Sequence, residues 1–160
     1  MTLVDTDPAT TALAIEHLCD FAITFQAMQT LSTPLGTRMI AVVRHGTVEG
    51  PRLRGEFLPG GGDWIVIGSD RVARLDVRAT IRTHDGELVF VTVTGRAALS
   101  DAAIDRLLAG QTIGWDEMHA RTAPLFETGA AGYAWLNSTV AIAINELSLH
   151  HVNYRVYSVQ

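Results

Sequence analysis

A mainly antiparallel β-barrel with one short helix is the fold class that this sequence predicts. Three observations carry the prediction. Apolar and polar residues alternate with a period of two in segment after segment, which is the signature of half-buried strands. Turn signals rich in Gly, Pro and Asp recur at short intervals, so most connections are local. A single stretch has helical patterning and caps. Closure into a barrel removes the edges of a sheet this rich in apolar strands. At 160 residues the chain is read as one domain, able to bury roughly two thirds of the surface its unfolded form exposes. Residues 1–12 are expected to be a loose leader and residues 13–160 a single barrel domain.

The elements follow in order. In "HLCDFAITFQ", Cys19, Phe21, Ile23 and Phe25 alternate with Asp20, Ala22, Thr24 and Gln26, giving a strand. "STPLG" is a turn, and "TRMIAVVRHGTVEG" is the next strand. "RLRGEFLP" is read as a third, with Gly55 marking a bulge or sharp bend. "PGGGD" is a loop and "DWIVIG" a short strand. "RVARLDVRATIRTHDGELVFVTVTG" reads as a hairpin about a two-residue Asp85-Gly86 turn. That register sets Arg82 opposite Val89, Thr80 opposite Val91 and Arg78 opposite Val93. Ser100 as N-cap, Asp101 in the first turn and Gly110 at the C-terminus delimit the helix, with Ile104, Leu107 and Leu108 as its apolar stripe. "ARTAPLFETGAAGYAWLN" (120–137) is expected as a strand, continued by "YAWLNSTVAIAINE". A turn near Ser148–His151 then leads back through "VNYRVYSV".

Composition narrows the function classes. The formal charge of −5, with no basic stripe, argues against nucleic acid. The lone cysteine, Cys19, cannot form a disulfide within the chain, which points to a reducing compartment and a cytoplasmic address. The acidic start lacks a basic segment or long apolar run, so neither a signal peptide nor a membrane span is expected. Six histidines without ligand spacing predict no metal. No phosphate-binding loop, dinucleotide fingerprint or nucleophile elbow occurs, and no cofactor is expected.

Polar residues on strand faces carry what functional signal there is. Arg74, Asp76, Arg78, Thr80 and Arg82 share one face of one strand. They form either a solvated outer face or, given the valines placed opposite them, the partly polar lining of a ligand-holding barrel. Tyr133, Trp135 and Asn137 fall two apart. They form either a core or subunit contact or a ligand wall with an orienting amide. Glu127 is either exposed at a strand end or held by Arg78 or Arg121. In the latter state it could serve as a base or bind a ligand hydroxyl.

Four stretches, "GTVEGPRLRGEFLPGGGDW" (46–64), "LDVRATIRTHDGELVFV" (75–91), "RTAPLFETGAAGYAWLN" (121–137) and "YRVY" (154–157), resemble the DUF3237 family, also grouped as UPF0311. That family resembles the barrel of allene oxide cyclase, a cofactor-free ring-closing enzyme, and is lipocalin-like in outline. The resemblance implies a site drawn from Asp63, Trp64, Asp76, Arg78, Arg121, Glu127, Tyr133, Trp135, Asn137 and Tyr154. Val93 stands where members often carry a polar residue, and segment 98–119 is atypical. The expectation is a cofactor-independent isomerase, cyclase or lyase acting on a small oxygenated, partly apolar molecule. Glu127, Asp76, Arg78 and Tyr154 would be catalytic. Asp63, Trp64, Arg121, Tyr133, Trp135 and Asn137 would bind substrate. A non-catalytic carrier and a structural or interaction protein are the alternatives. A homodimer is expected, to cover the helix stripe and Trp115, unless the helix plugs its own barrel.

Overall fold

The computed structural model describes residues 13–160; the expected leader at 1–12 lies outside them. Ten strands run in chain order: β1 (Ile15–Phe25), β2 (Gln29–Thr33), β3 (Gly36–Glu49), β4 (Gly55–Phe57), β5 (Gly62–Ile67), β6 (Val72–Thr83), β7 (Leu88–Ala98), β8 (His119–Glu127), β9 (Ala141–Leu147) and β10 (His151–Val159). Helix α1 (Asp101–Leu108) and a 3-10 helix (Ala131–Ser138) complete the fold. All the strand pairings are antiparallel.

The order β1-β10-β9-β8-β7-β6 continues through β4 and β5, which both bridge β6 to β3, and β3 pairs with β1. The sheet therefore closes into a barrel of eight wall positions, with β4 and β5 sharing one and β2 flanking β3 as a hairpin arm. The expected third strand shortens to Gly55–Phe57. A Cβ on Gly55 would lie 2.2 Å from the Arg82 carbonyl oxygen, so only glycine allows this close strand approach.

The β6–β7 register differs from the expected one by a residue. Arg82 faces Leu88, Thr80 faces Phe90 and Arg78 faces Thr92, while Val77, Ala79 and Ile81 pair with Val93, Val91 and Val89. The loop holds three residues, His84 to Gly86. Gly86 takes a φ of 92°, and the Thr83 N–H donates to the Glu87 carbonyl at 2.8 Å. This is the bulged three-residue turn, not the two-residue one. A one-residue slip exchanges the faces. The valines point into the barrel, and Arg74, Arg78 and Arg82 stand outside in water. The solvated reading of that face is the correct one.

Strand β8 stops at Glu127 instead of running to 137. The chain then winds into the 3-10 helix, which puts Tyr133 and Leu136, three residues apart, on one buried side. With Leu53 they seal one end of the barrel over a core that includes Phe21, Phe57, Val91 and Val156.

At the opposite end a second apolar cluster gathers Ala73, Ala97, Ala103, Ile113, Met118 and Ala120. Helix α1 closes over it. Ser100 Oγ accepts the Ala103 N–H at 3.2 Å, and Gly110 at φ 80° ends the helix with N–H bonds from Gly110 to Leu107 O and from Gln111 to Arg106 O. Leu107 packs inward against that cluster, while Leu108 remains exposed. Ile113 pairs with Leu147, fastening the following loop to β9. No helix of the described residues is long and apolar enough to cross a membrane.

Candidate functional site

Beneath α1, at the end away from the 3-10 helix, lies an apolar cavity of about 120 Å³. Ile65, Leu75, Met39, Met118 and Leu107 contribute to its walls. Its polar groups are Asp63 from β5, Asn145 and Ser148 from β9 and the turn after it, and Tyr154 from β10. Around the closed wall β5 and β9 are four positions apart in either direction, so Asp63 and Asn145 belong to opposite walls.

Asp63 reaches the interior because it follows Gly61 and Gly62, where β5 joins β3, and pairs with the inward Ala41. The β5–β6 ladder lapses between the Asp63–Val77 and Val66–Arg74 pairs. There the Asp76 N–H donates to Asp63 Oδ1 at 3.0 Å instead of to a strand carbonyl. Burial pushes the Asp63 carboxyl up to about 7. The Asp76 N–H pulls it down by less than burial raises it, and the Asp76 carboxylate adds to the rise. Tyr154 is buried, and burial, then the charge of Asp63, pushes its phenol far above the usual range.

Asn145 faces inward with Ala141 and Ala143 on β9 and pairs with Tyr154 across β10. Its Oδ1 takes a long 3.5 Å bond from Thr122 Oγ1, and its buried Nδ2 has no hydrogen-bond partner among the described residues. A buried, unused amide donor is costly to a fold and is a common mark of a ligand position. Ser148 is otherwise occupied. Its Oγ accepts the N–H groups of His150 and His151 at 3.1 and 3.2 Å and is joined to His151 Nδ1 at 2.8 Å. These bonds fill its capacity, so it fixes the turn.

Of the residues expected at the site, Asp63 and Tyr154 meet in this cavity; the others are placed elsewhere. The side chains of Asp76 and Arg78 are 51% and 63% exposed and pair with each other on the outer wall. Glu127 is exposed at the end of β8, and among the described residues no ion pair joins it to Arg78 or Arg121. Arg121 is exposed and donates to the Ala120 carbonyl at 2.7 Å. Trp64 lies on the outside of β5 beside Arg38, which donates to its carbonyl. The expectation that Asp76, Arg78, Glu127 and Asn137 share a cavity is therefore overturned: the β6–β7 register leaves Asp76 and Arg78 on the outer wall, and the end of β8 and the 3-10 helix carry Glu127 and Asn137 away.

The polar side chains of 128–137 find partners at the sealed end. Asn137 Oδ1 accepts the Thr128 N–H at 2.8 Å, and its Nδ2 donates to the Thr128 carbonyl at 2.9 Å. The Tyr133 hydroxyl donates to Asp85 Oδ1 at 2.8 Å, tying the 3-10 helix to the β6–β7 turn. The Arg52 guanidinium lies 3.8 Å from the ring centre of Trp135. A larger groove of about 290 Å³ adjoins Trp135, but its lining is mostly polar, with Glu16, His17, Arg52 and Gln160 exposed. The apolar cavity, with its buried polar groups, is the better site. Among the described residues no group of three or more His, Cys, Asp or Glu could hold a metal ion. Asn145 escaped the sequence reading, although a lone amide on the small apolar face of "AIAIN" was a visible signal.

A family model described as "Protein of unknown function (DUF3237)" matches residues 13–159. A UPF0311 protein of Clostridium acetobutylicum is 26% identical over 125 residues, covering 78% of this chain and 79% of that one. The crystal structure of a conserved protein of unknown function from Rhodopseudomonas palustris superposes with a TM-score of 0.89 at 24% identity, covering 94% of this chain and all of that one. An enzyme from Penicillium herquei superposes with a TM-score of 0.69 at 21% identity, covering 94% and 96% of the two chains.

Proposed function

We propose, from the premise that the chain belongs to the DUF3237 family, that its barrel is a cofactor-independent isomerase, cyclase or lyase for a small, partly apolar, oxygenated molecule. The observation that carries this reading is the pairing of a desolvated Asp63 with an unpartnered Asn145 Nδ2 on opposite walls of one apolar cavity. A carboxyl balanced near neutrality can both take and return a proton at working pH. Asp63 takes a proton from a carbon next to a carbonyl group. The electron pair moves onto the carbonyl oxygen, where Asn145 Nδ2–H donates to the developing charge. The proton then returns at another atom, or a leaving group departs. Tyr154, paired with Asn145 across the strands, supplies a hydroxyl for orientation. The Penicillium herquei neighbour, an enzyme, is a precedent for catalysis on this barrel, by analogy of fold.

Mass spectrometry of cell extract incubated with the purified protein tests the reading. A compound should be consumed, and Asp63→Asn should slow its loss by roughly a hundredfold or more while still retaining it. A compound that is retained and never altered would make the protein a carrier and reject the catalytic reading.

We propose a homodimer as well, on a different surface from the helix stripe. Leu107 is turned toward the protein's own cavity. Leu88 and Phe90 of β7, Leu125 of β8, and Val140 and Ile142 at the head of β9 are exposed on neighbouring outer strands. An exposed apolar strip of this kind, edged by Glu127 opposite Phe90 and Arg82 opposite Leu88, favours pairing. Light scattering should give twice the chain mass at micromolar concentration; a monomer there would reject the proposal.

A further inference from the structure

We infer that the cavity selects an electrically neutral ligand of about six to eight heavy atoms that presents a hydrogen-bond acceptor, such as a ketone oxygen, to Asn145. The inference rests on the proposed role of this cavity as the ligand site and adds the charge class, size and orientation of what enters. Its size comes from the volume. About 120 Å³ is close to the ~150 Å³ of an apolar protein cavity that admits benzene, so one six-membered ring with a small substituent fills it.

Its charge follows from the lining. Among the described residues that line the cavity there is no Arg, Lys or His. The arginines expected to hold Glu127, Arg78 and Arg121, are exposed outside the barrel. An anionic ligand would thus leave water for a space with no counter-charge, facing a carboxyl group. A cationic ligand could be met only by ionised Asp63, and burial already opposes that ionisation. Taking both ions out of water costs more than a long or imperfect contact returns.

Its orientation follows from the donors and acceptors. Asn145 Nδ2 is a donor with nothing to bond, so an acceptor oxygen on the ligand relieves the defect. Asp63 stands across the barrel from Asn145, one of its oxygens already taken by the Asp76 N–H. The remaining oxygen meets the body of the ring, where a donor or the acidic C–H next to the ketone carbon would lie. Met28, Met39 and Met118 at the cavity wall tolerate variation in the apolar outline of the ligand.

The test uses three probes of similar size on the whole chain at pH 7: cyclohexanone, cyclopentanecarboxylate and cyclohexylammonium, with binding read by ligand-observed NMR. Cyclohexanone should bind at least tenfold more tightly than either ion. In Asn145→Leu, which keeps the volume and removes the donor, the affinity for cyclohexanone should fall at least tenfold. Either ion binding as tightly as the ketone to the wild-type protein would overturn the neutral class while leaving the cavity as the site. An unchanged affinity for cyclohexanone in Asn145→Leu would overturn the assigned orientation. Binding of none of the three would overturn both this inference and the reading of the cavity on which it rests.

Discussion

Asp63 sets how the fold should respond to pH. Its carboxyl titrates near 7 in the folded chain, against an ordinary value of 3.8. The folded state therefore holds a proton that the unfolded state has released between those two values. Stability is fully present below about pH 4, falls as pH rises, and is lowest above about 7. The span corresponds to roughly 4 kcal/mol at most. Asp63→Asn removes the titration and can still accept the Asp76 N–H through its amide oxygen. Urea unfolding should show a flatter pH profile from 4 to 8 for this variant, and about 2 kcal/mol more stability than wild type at pH 8. Glu127 gives the opposite expectation. It is exposed and has no arginine to support, so Glu127→Gln should change stability by less than about 0.5 kcal/mol and leave ligand handling intact. A calorimetric scan beside the extract assay checks both. A hundredfold loss of turnover in Glu127→Gln would return that carboxylate to the site.

At the scale of elements, alternation and caps located most of what formed. Strands β1, β3, β6, β7 and β10 and helix α1 were legible because each buries one face or carries its own stop signals. Three features were not. "QTLST" has too few apolar residues to announce β2, which is held by pairing with β3. Tyr133, Trp135 and Asn137 mimic a period of two, whereas the buried pair Tyr133 and Leu136 keeps a period of three. The Asp85-Gly86 dipeptide suits a two-residue turn. Thr83 prevents it: its Oγ1 donates to Asp85 Oδ1 at 2.6 Å and accepts the Glu87 N–H at 2.9 Å, enclosing a third residue. That single residue exchanged the hairpin's faces and, with them, the places of Asp76 and Arg78. Asp63 and Tyr154 came from the family resemblance, since alternation marks a strand's buried face without marking which of its polar residues serve a site. The Thr83 bonds carry a consequence for stability. Thr83→Val keeps the shape but leaves the Glu87 N–H without its Oγ1 acceptor and leaves Asp85 Oδ1 with the Tyr133 hydroxyl alone. It should cost about 1–2 kcal/mol, measurable as a lower urea midpoint at an unchanged slope.

Taken whole, the barrel divides its work between its ends. One end is packed solid: Leu136 is wholly buried beside Leu53, and the 3-10 helix is tied down through Tyr133 and Asn137. The other end keeps a hollow under α1, whose inner residue Leu107 is only half-buried and faces the cavity. An end that must admit a ligand cannot be filled, so stability has to come from the end that need not open. The two leucines separate these roles. Leu136→Ala leaves a void in close-packed surroundings and should cost about 3 kcal/mol, with ligand affinity per folded molecule unchanged. Leu107→Ala loses less, on the order of 1 kcal/mol, because water already reaches part of the side chain. It also removes a piece of the roof over the cavity, so a bound ketone should leave several-fold faster. Unfolding curves and probe dissociation rates on the two variants decide between this division and a uniformly built barrel. If Leu136→Ala altered probe release as much as Leu107→Ala, the ends would be coupled through the core, and the packed end would belong to the site.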